Sequence, residues 1–529
     1  MQPLLSRIRN TFAIELTNLA IFRMALGLLV AWDLWGRYQL RFLVFGDPAA
    51  TATDPVVKEG LLPVALSTEP WTDWNWSLLW LSRAVQGVRE VVPLDAGSLW
   101  DQRLTTWETY LASPDFAGVF LLVGVVLALL YAAGLFTRLC NVLLWIVVLS
   151  VQVRMPLMTT GADTLTRMFL FWTMWLPMGA VLSADARFFS RQGFWRKRIH
   201  QTQAQLSEDQ KRIPAGKLSI STFATAALML QLVAMYFFSG LAKCNPHWYS
   251  GGALEEALGW LFVSRPQADM FHPMGWLLTG ITYVVLALEL TLPLWSFCPG
   301  LFRWTRRPAA WLLIGMHLGI AALMTIGTFS AVAIAGWILF FDRSPGSGWD
   351  WLWQDRRDTG IRLSRLLTDS PRATATARDL TVGSLLVLVL WWNVAQVPRP
   401  GMERLFPNSL RPLMHQLGLF QDFPMFAEPP KENWSWKLSA KPDSADDARS
   451  ALPSPLGLPN RPGMGPDPHG EFLWRQLHVN LLFQFQQEPE FVGKIRQRLS
   501  QLERASGSQP EAPSQLWLIN GKTGEATAW

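Results

Sequence analysis

The chain has 529 residues and a net charge of +6, and half of its residues are hydrophobic, with 29 Trp against 6 Tyr. Its apolar residues arrive in blocks of about 18 to 25, the length that crosses a bilayer, so a single water-soluble core is excluded. The pI near 9.3 comes from basic residues in short loops, where the positive-inside rule explains them, so no nucleic-acid partner is expected.

The pattern gives an all-α polytopic membrane bundle of about nine transmembrane helices over residues 1–397. A small C-terminal extramembrane α+β domain, 398–529, follows it. Arg7 and Arg9 precede a retained first span, with no secretory cleavage pattern. The spans fall near 17–36, 115–135, 138–157, 165–182, 219–241, 274–298, 309–326, 328–342 and 380–397. With a cytoplasmic N-terminus, the clusters at Arg138, Arg187–Lys217, Arg303–Arg307 and Arg343–Arg378 all fall on the cytoplasmic side. The expected location is a bacterial inner membrane, with an external C-terminus.

The first external loop, 37–114, holds Trp71, Trp74, Trp76, Trp80, Trp100 and Trp107, a density that suits interfacial anchoring. The cytoplasmic loop 183–218 is a basic, Gln-rich connector. Cys140, Cys244 and Cys298 have neither metal-ligand nor disulfide spacing, and no metal is expected.

Polar residues inside spans are costly and carry a purpose. Arg23 and Asp33 lie in the first span, Arg167 in the fourth, Glu289 in the sixth and His317 in the seventh. Arg23 and Glu289 fall at similar depth in the cytoplasmic half, and a structural pair between them is expected. Asp163 opens the fourth span, where it either caps the helix or faces the same cavity as Lys243.

Lys243 closes the fifth span, and Pro246 prevents the helix from simply continuing. Between Leu218 and Pro430 it is the sole lysine. Arginine keeps its charge under all ordinary conditions, whereas a desolvated lysine gives up its proton and serves as a base. With His247 and Trp248 beside it, Lys243 reads either as a catalytic site at an external cavity or as a snorkelling anchor.

After the last span come Phe420–Pro430, the alternating Trp434–Leu438, a Pro/Gly-rich linker near 441–470 and an amphipathic helical stretch, 471–503. Asn520-Gly521 between alternating runs reads as a hairpin.

Four patches resemble the vitamin K-dependent γ-carboxylase superfamily, whose bacterial members carry the horizontally transferred transmembrane (HTTM) domain. They are Ile21–Gly27 with Asp33 and Arg37; Gly161–Arg167 with Leu176-Pro177 and Ser183–Asp185; Tyr236–Lys243 with Trp248 and Gly251; and His317, Met324, Gly327 and Phe340-Phe341. Phe420–Pro430 is a looser fifth match. The resemblance implies that Lys243 is a catalytic base toward a reduced naphthoquinone, which reacts with oxygen and drives glutamate carboxylation as it becomes an epoxide. Asp163, His247, Trp248 and His317 are then ligand-binding, and the partners are the lipid bilayer, a lipidic quinone and a peptide. The chain differs from the carboxylases in having Ala242 before Lys243 and Asn245 where they have Asp. A non-catalytic membrane protein that binds, or helps mature, a peptide or lipid is the second reading.

Overall fold

A computed structural model describes residues 11–41, 98–155, 158–189, 219–259, 263–297, 302–341 and 372–421. It also describes Phe423, Ala427 and three strands at 434–439, 515–520 and 526–528. The first helix, α1 (Leu16–Gln39), buries Leu16, Leu19, Phe22, Leu26, Val30 and Leu34, spaced three or four apart, which puts them along one side of the helix. Leu28, Trp32 and Trp35 remain exposed, as a lipid-facing stripe should.

After α2 (Leu99–Ala112), Ser113 caps α3 (Pro114–Ala133) by accepting from Phe116 N–H, and Pro114 occupies the first turn, where its missing N–H costs nothing. Gly134 ends α3 at φ 73°, the left-handed C-cap that glycine favours. Helices α1 and α3 meet closely at Gly27, where a Cβ would lie 2.8 Å from the Ala128 carbonyl oxygen. Small residues at such a crossing let two backbones approach within van der Waals contact.

The bundle continues with α4 (Thr137–Arg154), α5 (Gly161–Thr173), a short α6 (Ala184–Phe189) and α7 (Phe223–Ala242). Two single-turn pieces, α8 (Pro246–Tyr249) and α9 (Ala253–Leu258), lead to α10 (Gly275–Trp295), α11 (Phe302–Leu323) and α12 (Phe329–Trp337). The last long helix is α13 (Arg372–Ala395), followed by α14 (Arg411–Gln416).

Of the nine expected spans, six are helices long and apolar enough to cross a membrane: those in α1, α3, α4, α7, α10 and α13. The other three are helical but differ from expectation. With 13 residues, α5 is about 20 Å long, short of the hydrocarbon thickness. The 9 residues of α12 and a 3-residue 3₁₀ extension are shorter still. Helix α11 has the length, but Arg303, Arg306, Arg307 and His317 lower its hydropathy.

Contacts tie the helix ends into two sets. In one set, β1 (Ile14–Glu15) pairs antiparallel with β2 (Ser219–Ile220), Arg306 donates to the Thr11 carbonyl, and Asp185 accepts from the N–H groups of Phe136 and Thr137 at 2.8 Å. In the other, Arg167 donates to the Gly418 and Phe420 carbonyls, and Asn245 donates to the Ala427 carbonyl.

Near the C-terminus, β3 (Trp434–Ser439), β4 (Gln515–Asn520) and β5 (Ala526–Ala528) form an antiparallel sheet with Trp436 opposite Leu518 and Ile519 opposite Ala526. The antiparallel β4–β5 pair agrees with the expected hairpin. The helix expected at 471–503, Trp71–Trp80 and most of the loop 183–218 lie outside the described residues.

Candidate functional site

Helix α7 carries the site. Thr222 and Thr225 close a capping box at its start, and the apolar run then continues to Lys243, which forms its C-cap. Residues 236, 239 and 243 are three and four apart, so Tyr236, Ser239 and Lys243 share one face.

On that face Lys243 Nζ donates to Glu289 Oε1 at 2.8 Å, to Glu289 Oε2 at 2.6 Å and to Ser239 Oγ at 2.8 Å. The pair is nearly sealed from solvent, with Lys243 3% and Glu289 7% exposed. The Trp248 ring lies 5.4 Å from Nζ and so also faces the cation. Helix α10 reaches this close because residue 240 is glycine: a Cβ there would sit 3.0 Å from Leu290 and 3.3 Å from Glu289 Cβ.

Two turns down α7, Tyr236 OH bonds His317 Nε2 and accepts from Trp337 Nε1 at 3.0 Å. His317 Nδ1 lies 3.4 Å from Ser330 Oγ. The four side chains come from α7, α11 and α12, and all are buried.

The roof of the site is the chain between α7 and α10. Asn245 accepts from Trp248 N–H and starts α8. Tyr283 OH then donates to the Tyr249 carbonyl at 3.0 Å, and Leu254 N–H to Thr282 Oγ1 at 3.3 Å. Gly251, at φ 82°, has no room for a Cβ, which would fall 2.6 Å from Thr279 Cγ2. Glycine is required there on both counts.

A second network lies around α5. Asp163 Oδ2 accepts from Thr160 N–H at 2.8 Å in a capping box, while Oδ1 pairs with Arg37 Nη2 at 2.5 Å. Arg37 also holds Asp33 at 2.9 Å, one turn back on α1. Arg167 bonds Gln152 Oε1 and the two carbonyls at 418 and 420, and its guanidinium lies 4.0 Å from the Phe420 ring centre. The 417–421 segment is thereby drawn into the bundle, and Gln421 Oε1 accepts from Gln231 at 2.6 Å. Outside the spans, His415 stacks on Phe420. Burial, with Arg167 and Arg411 adding to it, pushes the His415 pKa down to about 4.

Lys243 and Trp248 meet at the end of α7 and His317 lies two turns away against Tyr236, whereas Asp163 caps α5 and pairs elsewhere. His247 Nε2 is 3.6 Å from Glu256 Oε2 and belongs to the roof. The expected Arg23–Glu289 pair is not formed. Arg23 instead donates to the Met178 and Leu182 carbonyls, and Glu289 takes Lys243. Counting residues from the span ends puts Glu289 and Lys243 at opposite depths. In the structure α7 ends beside the middle of α10, and α8 and α9 run on along the rest of it.

Sequence reading missed Tyr236, Ser239, Trp337 and Ser330. The spacing of 236, 239 and 243 was a usable signal for the first two. Ser330 and Trp337 come from α12, and no local pattern announces them.

Six apolar helices with charge pairs and polar clusters buried among them define a polytopic membrane protein. Residues 198–344 match the HTTM domain, a stretch that includes Lys243, Glu289 and His317. The match covers less than a third of the chain and makes 198–344 a region similar to the HTTM domain. No curated protein and no solved structure matches it.

Proposed function

We propose that the protein is a membrane enzyme of carboxylase-like type, which moves a proton to and from a lipidic substrate at Lys243. The observation that carries this reading is the bond of Lys243 Nζ to both Glu289 oxygens and to Ser239, nearly out of solvent. Ionisable groups inside a bundle are expensive and mark functional sites by default. An ammonium held against a carboxylate can pass its proton to that carboxylate, and the freed amine is a base. Arginine at this position would keep the charge without offering the base. Tyr236 and His317 form a second exchangeable pair on the same face of α7.

The co-substrate that the family likeness suggests is a reduced naphthoquinone. In the described packing, Lys243 is 3% exposed and the Trp248 ring of the roof lies 5.4 Å from Nζ. A bicyclic ring reaches Nζ only when that roof lifts from α10, so the quinol does not fit the site as packed.

The orientation assigned from charge, with a cytoplasmic N-terminus in a bacterial inner membrane, puts Lys243 toward the external side, where a peptide substrate is supplied. Nine crossings would then count α5, α11 and α12 beside the six helices of spanning length, α5 and α12 not crossing by helix alone. The second reading, non-catalytic binding of a peptide or lipid, is favoured by the completeness of the Lys243–Glu289–Ser239 cluster, which satisfies itself as a structural element.

The two are separated by labelling Lys243 with an amine-reactive probe, read by peptide mass spectrometry, with and without a naphthoquinone. The enzyme reading expects the quinone to change the extent of labelling at Lys243. Labelling untouched by the quinone leaves the binding reading.

A further inference from the structure

A cavity of about 60 Å³ opens between α1, the end of α11 and the start of α12. Its charged wall is Arg265. The backbone there is fixed: Arg265 N–H donates to the Leu323 carbonyl at 2.9 Å, and Thr325 N–H donates to the Val263 carbonyl at 2.6 Å. This antiparallel bridge between Ser264 and Met324 fixes the backbone that carries the arginine, which cuts part of the ordering cost of binding.

Among the described residues, its guanidinium Nε has no acceptor. Nε is also shut off from solvent, and among the described residues no carboxylate pairs with Arg265. A desolvated donor left unmade costs free energy that a ligand returns. Thr325 and Ser330 line the same cavity. Its remaining wall includes Trp32 and Ile326.

Trp32 also tells where the cavity leads. It belongs to the exposed stripe of α1, with Leu28 56%, Trp32 37% and Trp35 43% exposed. A ligand seated on Arg265 thus continues directly onto a lipid-facing surface. The volume suffices for a few waters or one small polar group, and is far below the roughly 300 Å³ of an ordinary organic-ligand pocket.

We propose that this cavity binds an oxyanion carried by an amphiphile, with Arg265 as its counter-charge and the acyl part lying along Leu28 and Trp32. The guanidinium fork matches two oxygens of a phosphate or carboxylate, and the hydroxyls of Thr325 and Ser330 complete the donor set. The assignment is independent of the role of Lys243.

The test uses the full-length protein in neutral detergent and follows its thermal unfolding midpoint. The probes are short-chain phosphatidylglycerol, the matching diacylglycerol without an oxyanion, and inorganic phosphate. Phosphatidylglycerol is expected to raise the midpoint saturably, the diacylglycerol to leave it unchanged, and phosphate to act only weakly. Arg265→Gln should weaken the apparent affinity for phosphatidylglycerol by about tenfold or more. Ala321→Phe, which keeps the arginine and fills the cavity, should abolish the shift. Equal affinity in wild type and in either variant overturns the site. A full shift from phosphate alone, or from the diacylglycerol, overturns the amphiphile assignment.

Discussion

At the residue scale, the account turns on Lys243 and Glu289. Removing one member leaves the other charged and buried, which costs about 3–5 kcal/mol in comparable pairs. Glu289→Gln should therefore lower the thermal midpoint strongly, and Lys243→Met combined with Glu289→Leu should unfold later than Glu289→Gln alone. A double variant no more stable than the single would assign the two residues separate partners. His415 gives a pH prediction. Its folded pKa, near 4, lies below the ordinary histidine value of 6.5, so the unfolded chain takes up a proton first as pH falls. Stability is then lost as pH falls from about 6.5 toward 4, and His415→Gln should flatten that part of the melting-temperature profile. Lys243 was legible in the sequence as the sole lysine between Leu218 and Pro430. Its partner was not, because Glu289 is 46 residues away and its depth depends on where α7 stops. Arg23 was unreadable for another reason: it bonds backbone carbonyls, which every residue possesses.

At the element scale, glycine positions the helices. Gly27→Val would push a side chain against Ala128 and Ala132, where a Cβ already lies 2.8 Å from both the Ala128 oxygen and the Ala132 Cβ. Overpacking of this kind costs about 1–3 kcal/mol, and thermal unfolding in detergent should show a loss of that size between wild type and Gly27→Val. The long helices were legible because apolar runs of bilayer length leave little choice of structure. Helices α5 and α12 are shorter than their apolar runs suggest. Residues 174–183 are apolar, yet they bend away after Thr173, and the carbonyls of Met178 and Leu182 turn to meet Arg23. The strands at 434–439 and 515–520 were visible as alternating runs, but no local signal shows that they pair across the intervening 75 residues.

At the scale of the whole molecule, the first set of helix-end contacts includes Arg306 and lies next to Arg138 and Arg187 in the chain, cations of the clusters read from sequence. The side of the membrane each set faces is a prediction: reporter fusions after Gln210 and after Trp529 should report the cytoplasm and the outside respectively. Both on one side would remove a crossing and displace Lys243 from an external site. The HTTM match covers 198–344, so the polar cluster around α7, α10, α11 and α12 lies inside it, while the Asp33–Arg37–Asp163 network does not. The central claim is that Lys243 works by exchanging a proton and not by holding a charge. Labelling of Lys243 in the purified protein by an amine-reactive probe, which takes only the unprotonated amine, with and without a naphthoquinone and read by peptide mass spectrometry, is the decisive measurement. Labelled Lys243 whose extent the quinone changes is the expected result. No labelling of Lys243, or labelling that the quinone leaves unchanged, would overturn the claim.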